Sequence, residues 1–557
     1  MTDFICLAEV LDDISKTKKR NEKVTLAAEF LRKVNFEEIS VAALFLSGKV
    51  FAESDPRTLN ISWRGLLNTL KKVADIGDEA ISSVYEGDIG EAVAKILEDM
   101  KSSRQSTLFS ETLSILSVSQ TLDKIAAAQG IGSMKEKLSL LTGLFMDASP
   151  REARYLTAIV LEDMRTGLSE GLLADTIAIG FDIEPSLVRR AWSFNGDLGV
   201  VARLAAEGGA KALQSVTIQL MRGVKPMLAG PIQDIKSLFE NHPEVFSFEF
   251  KLDGARVQIH KKESEIRLFS RRLSDVTDSL PDIVDLIKKS VKADDAILDG
   301  EVLAVDDTGK PFPFQTVMRR FGRTRDIEDA FKDTQLVLIV FDLLFLDGTQ
   351  LVDETYMNRR KRLEEIVTSN LLVDRVVTND VSRAEDFFEK SQQLGHEGLV
   401  AKSLESPYTP GSRGKHWFKI KHTLETLDLV IVAAEWGHGR RKDWLSDYHL
   451  AVLDEESGEF LVVGKTYKGF TDDEFKEITK TLLELEVSSH RHVVQVRPEI
   501  VVEVIASEVQ ESPTYESGLA LRFARINRIR EDKGPMDTMT LQELKAVYDK
   551  QFRYKAR

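Results

Sequence analysis

Lys251 is the residue of this chain best placed to serve as a nucleophile. It lies in Phe248-Glu-Phe-Lys-Leu-Asp-Gly-Ala-Arg256, which contains Lys251-x-Asp253-Gly254. A free lysine has a pKa of about 10.4, so on the order of 0.04% is neutral at pH 7. Burial against apolar strands and nearby cations would lower such a pKa, and Arg256, Arg271, Lys419 and Lys421 are possible neighbours. Two strand glutamates, Glu301 and Glu397, add carboxylates to this basic set. Together they suit a nucleoside triphosphate carrying a divalent metal, because Mg²⁺ prefers carboxylate and phosphate oxygens. Phe341, at the end of an apolar run, offers a ring on which a base can stack. Each residue alone has a plain structural reading as wet-face lysine, solvated glutamate or core phenylalanine. Six in this order do not.

The elements that must position these groups read as strands. Phe246, Phe248 and Phe250 alternate with Ser247, Glu249 and Lys251, the two-residue period of a strand with one apolar face. That parity places Glu249, Lys251 and Asp253 on one side, with Gly254 where the chain bends or a ligand comes close. Further strands are expected at 257–260, 266–272, 296–304, 336–341, 397–402 and 417–421. The run Leu336–Phe341 is apolar throughout and is expected to stop at Asp342, as a strand covered on both faces would. In the last strand Lys419 and Lys421 share one face, and Phe418 and Ile420 the other.

Residues 1–224 read as helical almost throughout, with only Pro56, Pro150 and Pro185 interrupting. Met134, Leu138, Leu141 and Phe145, widened by Leu140 and Leu144, form an apolar stripe. Ser149-Pro150-Arg151-Glu152 then offers an N-cap, a first-turn proline and a capping-box glutamate. In Arg165-Thr166-Gly167-Leu168-Ser169-Glu170 a glycine breaks one helix and a serine starts the next. Such a junction can turn Arg165 and the N–H groups near Gly167 toward a phosphate, or be an ordinary helix–helix turn. Gln105, Leu108 and Phe109 form a short segment that a partner's groove could accept, or the first apolar turn of a helix.

Beyond His422 the chain is rich in β structure. Strands are expected at 427–434, 448–453, 460–463, 493–497 and 500–506, with a helix near Asp472–Leu485, which suggests a small closed barrel such as an OB-fold. Five basic residues fall within the twelve from Arg522 to Lys533.

At 557 residues the chain is too long for one core, and three domains are expected: 1–224, 225–423 and 424–557. The single cysteine, Cys6, excludes an intramolecular disulfide and a multi-cysteine zinc site. No apolar run reaches the ~18 residues that span a bilayer, and no signal segment is visible, so a soluble, cytoplasmic protein is expected. The net charge is −15. Lys+Arg against Asp+Glu number 26 and 31 in residues 1–224, so even the helical region is no polycation. Any nucleic-acid contact must come from local basic surfaces on an acidic body.

Lys251-Leu-Asp-Gly-Ala-Arg256, Ser270-Arg271-Arg272, Asp299-Gly-Glu301, Phe341-Asp342, Glu397-Gly398 and Trp417-Phe-Lys419-Ile-Lys421 resemble the motif series of covalent nucleotidyltransferases. Arg530-x-Asp532-Lys533-Gly534 resembles the C-terminal motif of DNA ligases, and the helical first part resembles the DNA-binding domain of archaeal and eukaryotic replicative ligases. The resemblance covers essentially the whole chain, in the order of an archaeal-type ATP-dependent DNA ligase. It implies an all-α DNA-binding domain, an α+β adenylation domain and an OB-fold. It implies that Lys251 takes AMP from ATP as a phosphoramidate, with Glu249 at the adenine position and Phe341 stacked on the base. Arg256, Arg271 and Glu301 match positions on the ribose or phosphates, Arg413 and Lys419 match phosphate contacts, and Lys421 assists. Glu301 and Glu397 would bind Mg²⁺, while Arg530 and Lys533 would close over the pyrophosphate. The implied partner is nicked duplex DNA, in replication, repair and recombination, with the enzyme a monomer. Gln105–Phe109 resembles a shortened sliding-clamp motif whose second aromatic is replaced by Ser110.

Related chemistries fit less well. RNA ligases and GTP-using capping enzymes share the transferase core, but the helical first part and Arg-x-Asp-Lys argue against them. One cysteine cannot build the zinc site of NAD-dependent ligases. A non-catalytic DNA-bridging protein would not be expected to keep Lys251, Glu301, Glu397 and Lys419 together.

Overall fold

The computed structural model describes residues 1–74, 76, 84, 88–103, 112–130, 132–318, 335–421, 426–490 and 492–551. Gln105, Leu108 and Phe109 lie outside the described residues.

Apolar residues at helical spacing fold the N-terminal part into helices from Phe4–Lys16 to Leu198–Gln214. They close around one core containing Leu7, Leu31, Phe45, Leu122, Phe145, Ile159 and Val201. The capping box forms as expected: Ser149 Oγ accepts from the Glu152 N–H, and the Glu152 carboxylate accepts from the Ser149 N–H at 2.8 Å. The preceding stripe is shifted. Helix Ser133–Asp147 buries Leu141, Leu144 and Phe145 but leaves Met134 49% exposed. Lys137 is buried instead and donates to the Leu59 carbonyl at 2.9 Å. The first turn meets a loop rather than the core, and a lysine can satisfy a loop carbonyl where leucine cannot.

The central part holds two five-stranded sheets. One has the order β1 (Leu228–Pro231), β10 (Arg413–Lys421), β9 (Gly398–Ser403), β2 (Phe246–Lys251) and β8 (Arg375–Thr378). The other runs β4 (Glu265–Ser270), β3 (Ala255–Lys262), β5 (Asp295–Val305), β6 (Gln335–Leu346) and β7 (Thr349–Gln350). The chain passes from the first sheet to the second between Lys251 and Ala255. Gly254 permits this crossing, because a Cβ there would lie 2.4 Å from the Val302 carbonyl oxygen.

β6 does not stop at Asp342, as its apolar run suggested, but continues to Leu346. Asp342 is fully buried and pairs at 2.8 Å with Arg359 on helix Tyr356–Ile366. A charged residue reads as a strand end only while its partner is unknown.

The C-terminal part has the expected helix at Asp472–Glu484 and more strands than expected. A seven-stranded sheet takes the order β13 (Phe460–Thr466), β12 (Leu445–Leu453), β11 (Leu427–Trp436), β15 (Val493–Val496) and β14 (Glu486–His490), with β16 (Val501–Ile505) paired to β11 and β19 (Arg525–Ile529) paired to β16. β17 (Glu508–Glu511) and β18 (Leu519–Arg522) form a hairpin. The strands missed, β14, β17, β18 and β19, are only four or five residues long, too short for alternation to reveal a buried face, and β14 and β19 are largely exposed as well. Among the described residues no helix is long and apolar enough to cross a membrane.

Helix Pro185–Asn195 joins the helical part to the central one. Its Phe194 is fully buried with Val224, Met227, Leu344, Tyr408 and Trp417. Arg190 forms a two-point ion pair with Asp353 at 2.7 and 2.8 Å.

Candidate active site

β2 buries Phe246, Phe248 and Phe250 on one face against Phe239, Phe387 and Phe418. Its alternation therefore turns Ser247, Glu249 and Lys251 the other way, toward the second sheet. Lys251 ends the strand opposite Gly398 on β9, and Lys421 of β10 pairs with the same glycine. Gly398 has φ of +136°, and a Cβ there would sit 2.1 Å from the Ile420 carbonyl oxygen. Only glycine allows the two lysine-bearing strands to close on this point.

Glu397, one residue earlier, lies between the two ammonium groups, 2.6 Å from Lys251 Nζ and 2.8 Å from Lys421 Nζ. Burial alone would raise its pKa, but the charges of Lys251 and then Lys421 hold it well below the usual carboxylate range. Glu301 on β5 is paired in register with Arg256 on β3 and accepts from the Gly254 N–H at 3.2 Å. Burial pushes its pKa up to about 7; Glu397 adds to the rise, while Lys251 and Arg256 oppose it.

The other cations converge on the same cleft. Burial, then the like charges of Lys421, Lys251 and Arg413, lower the Lys419 pKa. Burial, then Arg256 and Arg413, lower that of Arg271. Mutual repulsion among cations with few counter-charges is the mark of an anion site. Arg256 pairs with Asp299 at 2.7 Å, and its guanidinium carbon lies 5.4 Å from the centre of the Phe341 ring.

Beneath that ring is a residue the sequence reading missed. Lys402 is buried, donating to Glu249 at 2.7 Å and to the Phe341 carbonyl at 3.0 Å, with its ammonium 4.2 Å from the centre of a Trp417 ring. Tyr356 donates to the other Glu249 oxygen. Glu249 is 2% exposed and both its oxygens are engaged, so its carboxylate braces Lys402 beneath the Phe341 ring. No local spacing betrays Lys402, since a lysine on a strand ordinarily reads as solvated.

Two sequence-predicted groups stand apart from this cluster. Arg530 Nη1 and Lys533 Nζ bind the Asp428 carboxylate at 2.9 and 2.7 Å, and Arg530 also pairs with Asp532 at 2.8 Å. Arg165 lies in the helical part, with φ of 52° and an exposed ion pair to Asp163. Gly167 follows at φ of 72°, and Ser169 caps the next helix by accepting from the Leu172 N–H.

Glu301 and Glu397 are the two carboxylates of this cleft; burial and the charge of Glu397 raise the Glu301 pKa, and an added positive charge would relieve that repulsion.

Comparison with known proteins covers nearly all of the chain. The family described as ATP dependent DNA ligase domain matches residues 226–421, DNA ligase N terminus matches 3–178, and ATP dependent DNA ligase C terminal region matches 441–533. A DNA ligase of Thermococcus onnurineus (strain NA1) is 42% identical over 556 residues, covering 99% of this chain and 98% of that protein. DNA ligase 1 of Korarchaeum cryptofilum (strain OPF8) is 43% identical over 548 residues, covering 98% of each. The solved structure titled Pmar-Lig_PreS3 shares the fold at a TM-score of 0.58 and 17% identity, covering 94% of this chain and 99% of that one. With a lysine paired to a buried glutamate in a cationic cleft between two sheets, a helical part before it and a strand-rich part after it, the chain belongs to the ATP-dependent DNA ligase family.

Proposed function

We propose that this enzyme seals nicks in duplex DNA with ATP through a lysyl-AMP intermediate on Lys251. The observation that carries the reading is the Lys251–Glu397–Lys421 cluster, with Lys419 and Arg413 close to it, Arg271 close to Arg413 and Arg256, and the Phe341 ring beside Arg256. Lys251 gives up its proton to solvent, and the neutral amine attacks the α-phosphorus, releasing a second proton to solvent as the P–N bond forms. The bond to the bridging oxygen breaks, and pyrophosphate leaves with the electron pair. Arg271, Arg413 and Lys419 stabilise the charge on the phosphates, as in-line phosphoryl transfer requires. Glu301 and Glu397 would hold Mg²⁺, which when bound neutralises phosphate charge. Arg530 and Lys533 would reach the departing pyrophosphate after exchanging their carboxylate partners for it.

AMP then passes to the 5′-phosphate of the nick, and the 3′-hydroxyl displaces it to complete the strand. Contacts to duplex DNA come from local basic surfaces. The turn at Arg165 and Gly167 is one of them. Another holds Phe523, which is 62% exposed in a left-handed backbone conformation (φ of 54°) beside Arg522 and Lys468. A bulky residue in that conformation is strained and is retained at functional surfaces. The enzyme acts as a monomer in the cytoplasm, in replication and repair, with the segment from Gln105 to Phe109 as its contact to a sliding clamp.

Incubation with ATP labelled at the α-phosphate tests the reading. A covalent adduct on the parent, absent in Lys251→Ala, is expected. Labelling by GTP alone, or by no nucleotide, refutes it.

A further inference from the structure

Arg256, Gln258 and His260 occupy alternate positions of β3 and so share one face. Each holds the segment that leaves the helical part. The Met221 N–H donates to His260 Nδ1 at 3.1 Å. Gln258 exchanges two hydrogen bonds with the Val224 backbone, at 2.7 and 3.1 Å. Arg256 Nη1 donates to the Met227 carbonyl at 2.8 Å. The linker is therefore stitched along the strand, and its last stitch is a residue of the nucleotide cleft.

Tyr408 completes that stitch. Its hydroxyl donates to Asp299, and it accepts from the Met227 N–H at 3.0 Å and from Arg256 Nη2 at 3.2 Å. A hydroxyl has one hydrogen to give and two lone pairs to fill, so none of its capacity is left for a ligand. The guanidinium has five N–H groups. Asp299 takes two of them, at 3.4 and 2.7 Å, Met227 takes one and Tyr408 takes one. Among the described residues one N–H, on Nη1, is left without an acceptor.

We propose that Tyr408 is a positioning residue that, with the Met227 carbonyl, fixes Arg256 so that its single remaining N–H meets the nucleotide. The chain leaving the helical part is then a component of the ATP site. Phe194 packs in the same apolar cluster as Tyr408 and Met227, so docking of helix Pro185–Asn195 supports the arrangement from behind. This rests on the reading of the cleft as the ATP site.

The test is single-turnover self-adenylation of the full chain, without DNA, as a function of concentration of ATP labelled at the α-phosphate. In Tyr408→Phe the ATP concentration for half-maximal rate rises about three- to tenfold, as loss of one hydrogen-bond partner predicts. The maximal rate stays within about twofold, because ground-state positioning and not the reacting atoms is altered. In an Arg256→Lys background the same substitution adds no further shift, the coupling expected of residues acting through one another. Gln258→Met, which frees Val224, shifts the ATP dependence in the same direction and decides the matter should Tyr408→Phe not fold. An unchanged ATP dependence in these variants, or additive effects with Arg256→Lys, overturns the proposal. Absence of labelling in the parent enzyme instead overturns the reading of the cleft.

Discussion

Lys533 and Asp428 are joined by a 2.7 Å ion pair, and Arg530 reaches the same carboxylate at 2.9 Å. Asp428 is thus in competition with any phosphate for both cations of the C-terminal motif. Asp428→Asn removes that competitor's charge. Self-adenylation should then saturate at an ATP concentration about three- to tenfold lower, as the loss of one charged hydrogen-bond partner predicts. Stopped-flow or quench-flow adenylation measures it, and a rise in that concentration would mean that Asp428 aims the two cations rather than withholding them.

In the proposed reaction Lys251 serves only to take up AMP. Lys251→Ala should form no adduct with ATP yet still close a nick whose 5′ end is already adenylated, since that step uses the bound AMP as leaving group. Gel analysis of a pre-adenylated nick separates the two; failure to seal it would give Lys251 a second role.

Two buried groups shape the pH dependence of stability in opposite senses. Glu301 has a folded pKa of about 7 against an ordinary 4.5, so it binds a proton more tightly when folded. Its stabilising contribution is present below pH 4.5 and is lost as pH rises through 7. Mg²⁺ bound there as proposed would compete with that proton, so it should raise the thermal midpoint more at pH 8 than at pH 6, and Glu301→Gln should flatten the difference. Equal Mg²⁺ effects at both pH values would remove Glu301 from the metal site.

His260 behaves the other way. Burial, then the charge of Arg267, lowers its pKa from 6.5 to about 3. Its contribution is present above pH 6.5 and is lost as pH falls toward 3. A neutral ring also fits its bonds, with Nδ1 accepting from Met221 and Nε2–H donating to Gln258. Replacing it with glutamine should make the thermal midpoint less steep between pH 6.5 and 4. An unchanged acid limb would mean that other groups dominate it.

Arg165 and Phe523 are assigned to the DNA step by the proposed function. Arg165→Ala should lower the salt slope of nick binding by about one unit. Phe523→Ala should weaken nick binding at least about fivefold, if the exposed ring stacks or wedges against bases. Self-adenylation without DNA should be unchanged in both, and fluorescence titration against ATP labelling distinguishes these readouts.

Much of the cleft was legible in the sequence because strand parity is a strict rule. Once Phe246, Phe248 and Phe250 face a core, Glu249 and Lys251 must face away, and Glu301, Glu397, Lys419 and Lys421 meet them there. The capping box at Ser149 was readable for the same reason, since all its partners lie within one turn. What could not be read depends on contacts distant in sequence. Lys402 looks solvated until Glu249 and Trp417 surround it, Asp342 looks like a strand end until Arg359 arrives, and Asp428 has no visible purpose until Arg530 and Lys533 reach it. Met134 failed differently, because helical spacing marks which side is apolar and not where the neighbouring core ends.

The three stitches from Arg256, Gln258 and His260 bear on how such enzymes can be recombined. A central module grafted from this chain at residue 226 would leave behind Met221 and Val224, and with them the plugs for two buried acceptors on its own strand. A chimera that keeps ATP use should therefore carry the tether and its docking helix, from about Pro185 onward, as one inherited piece.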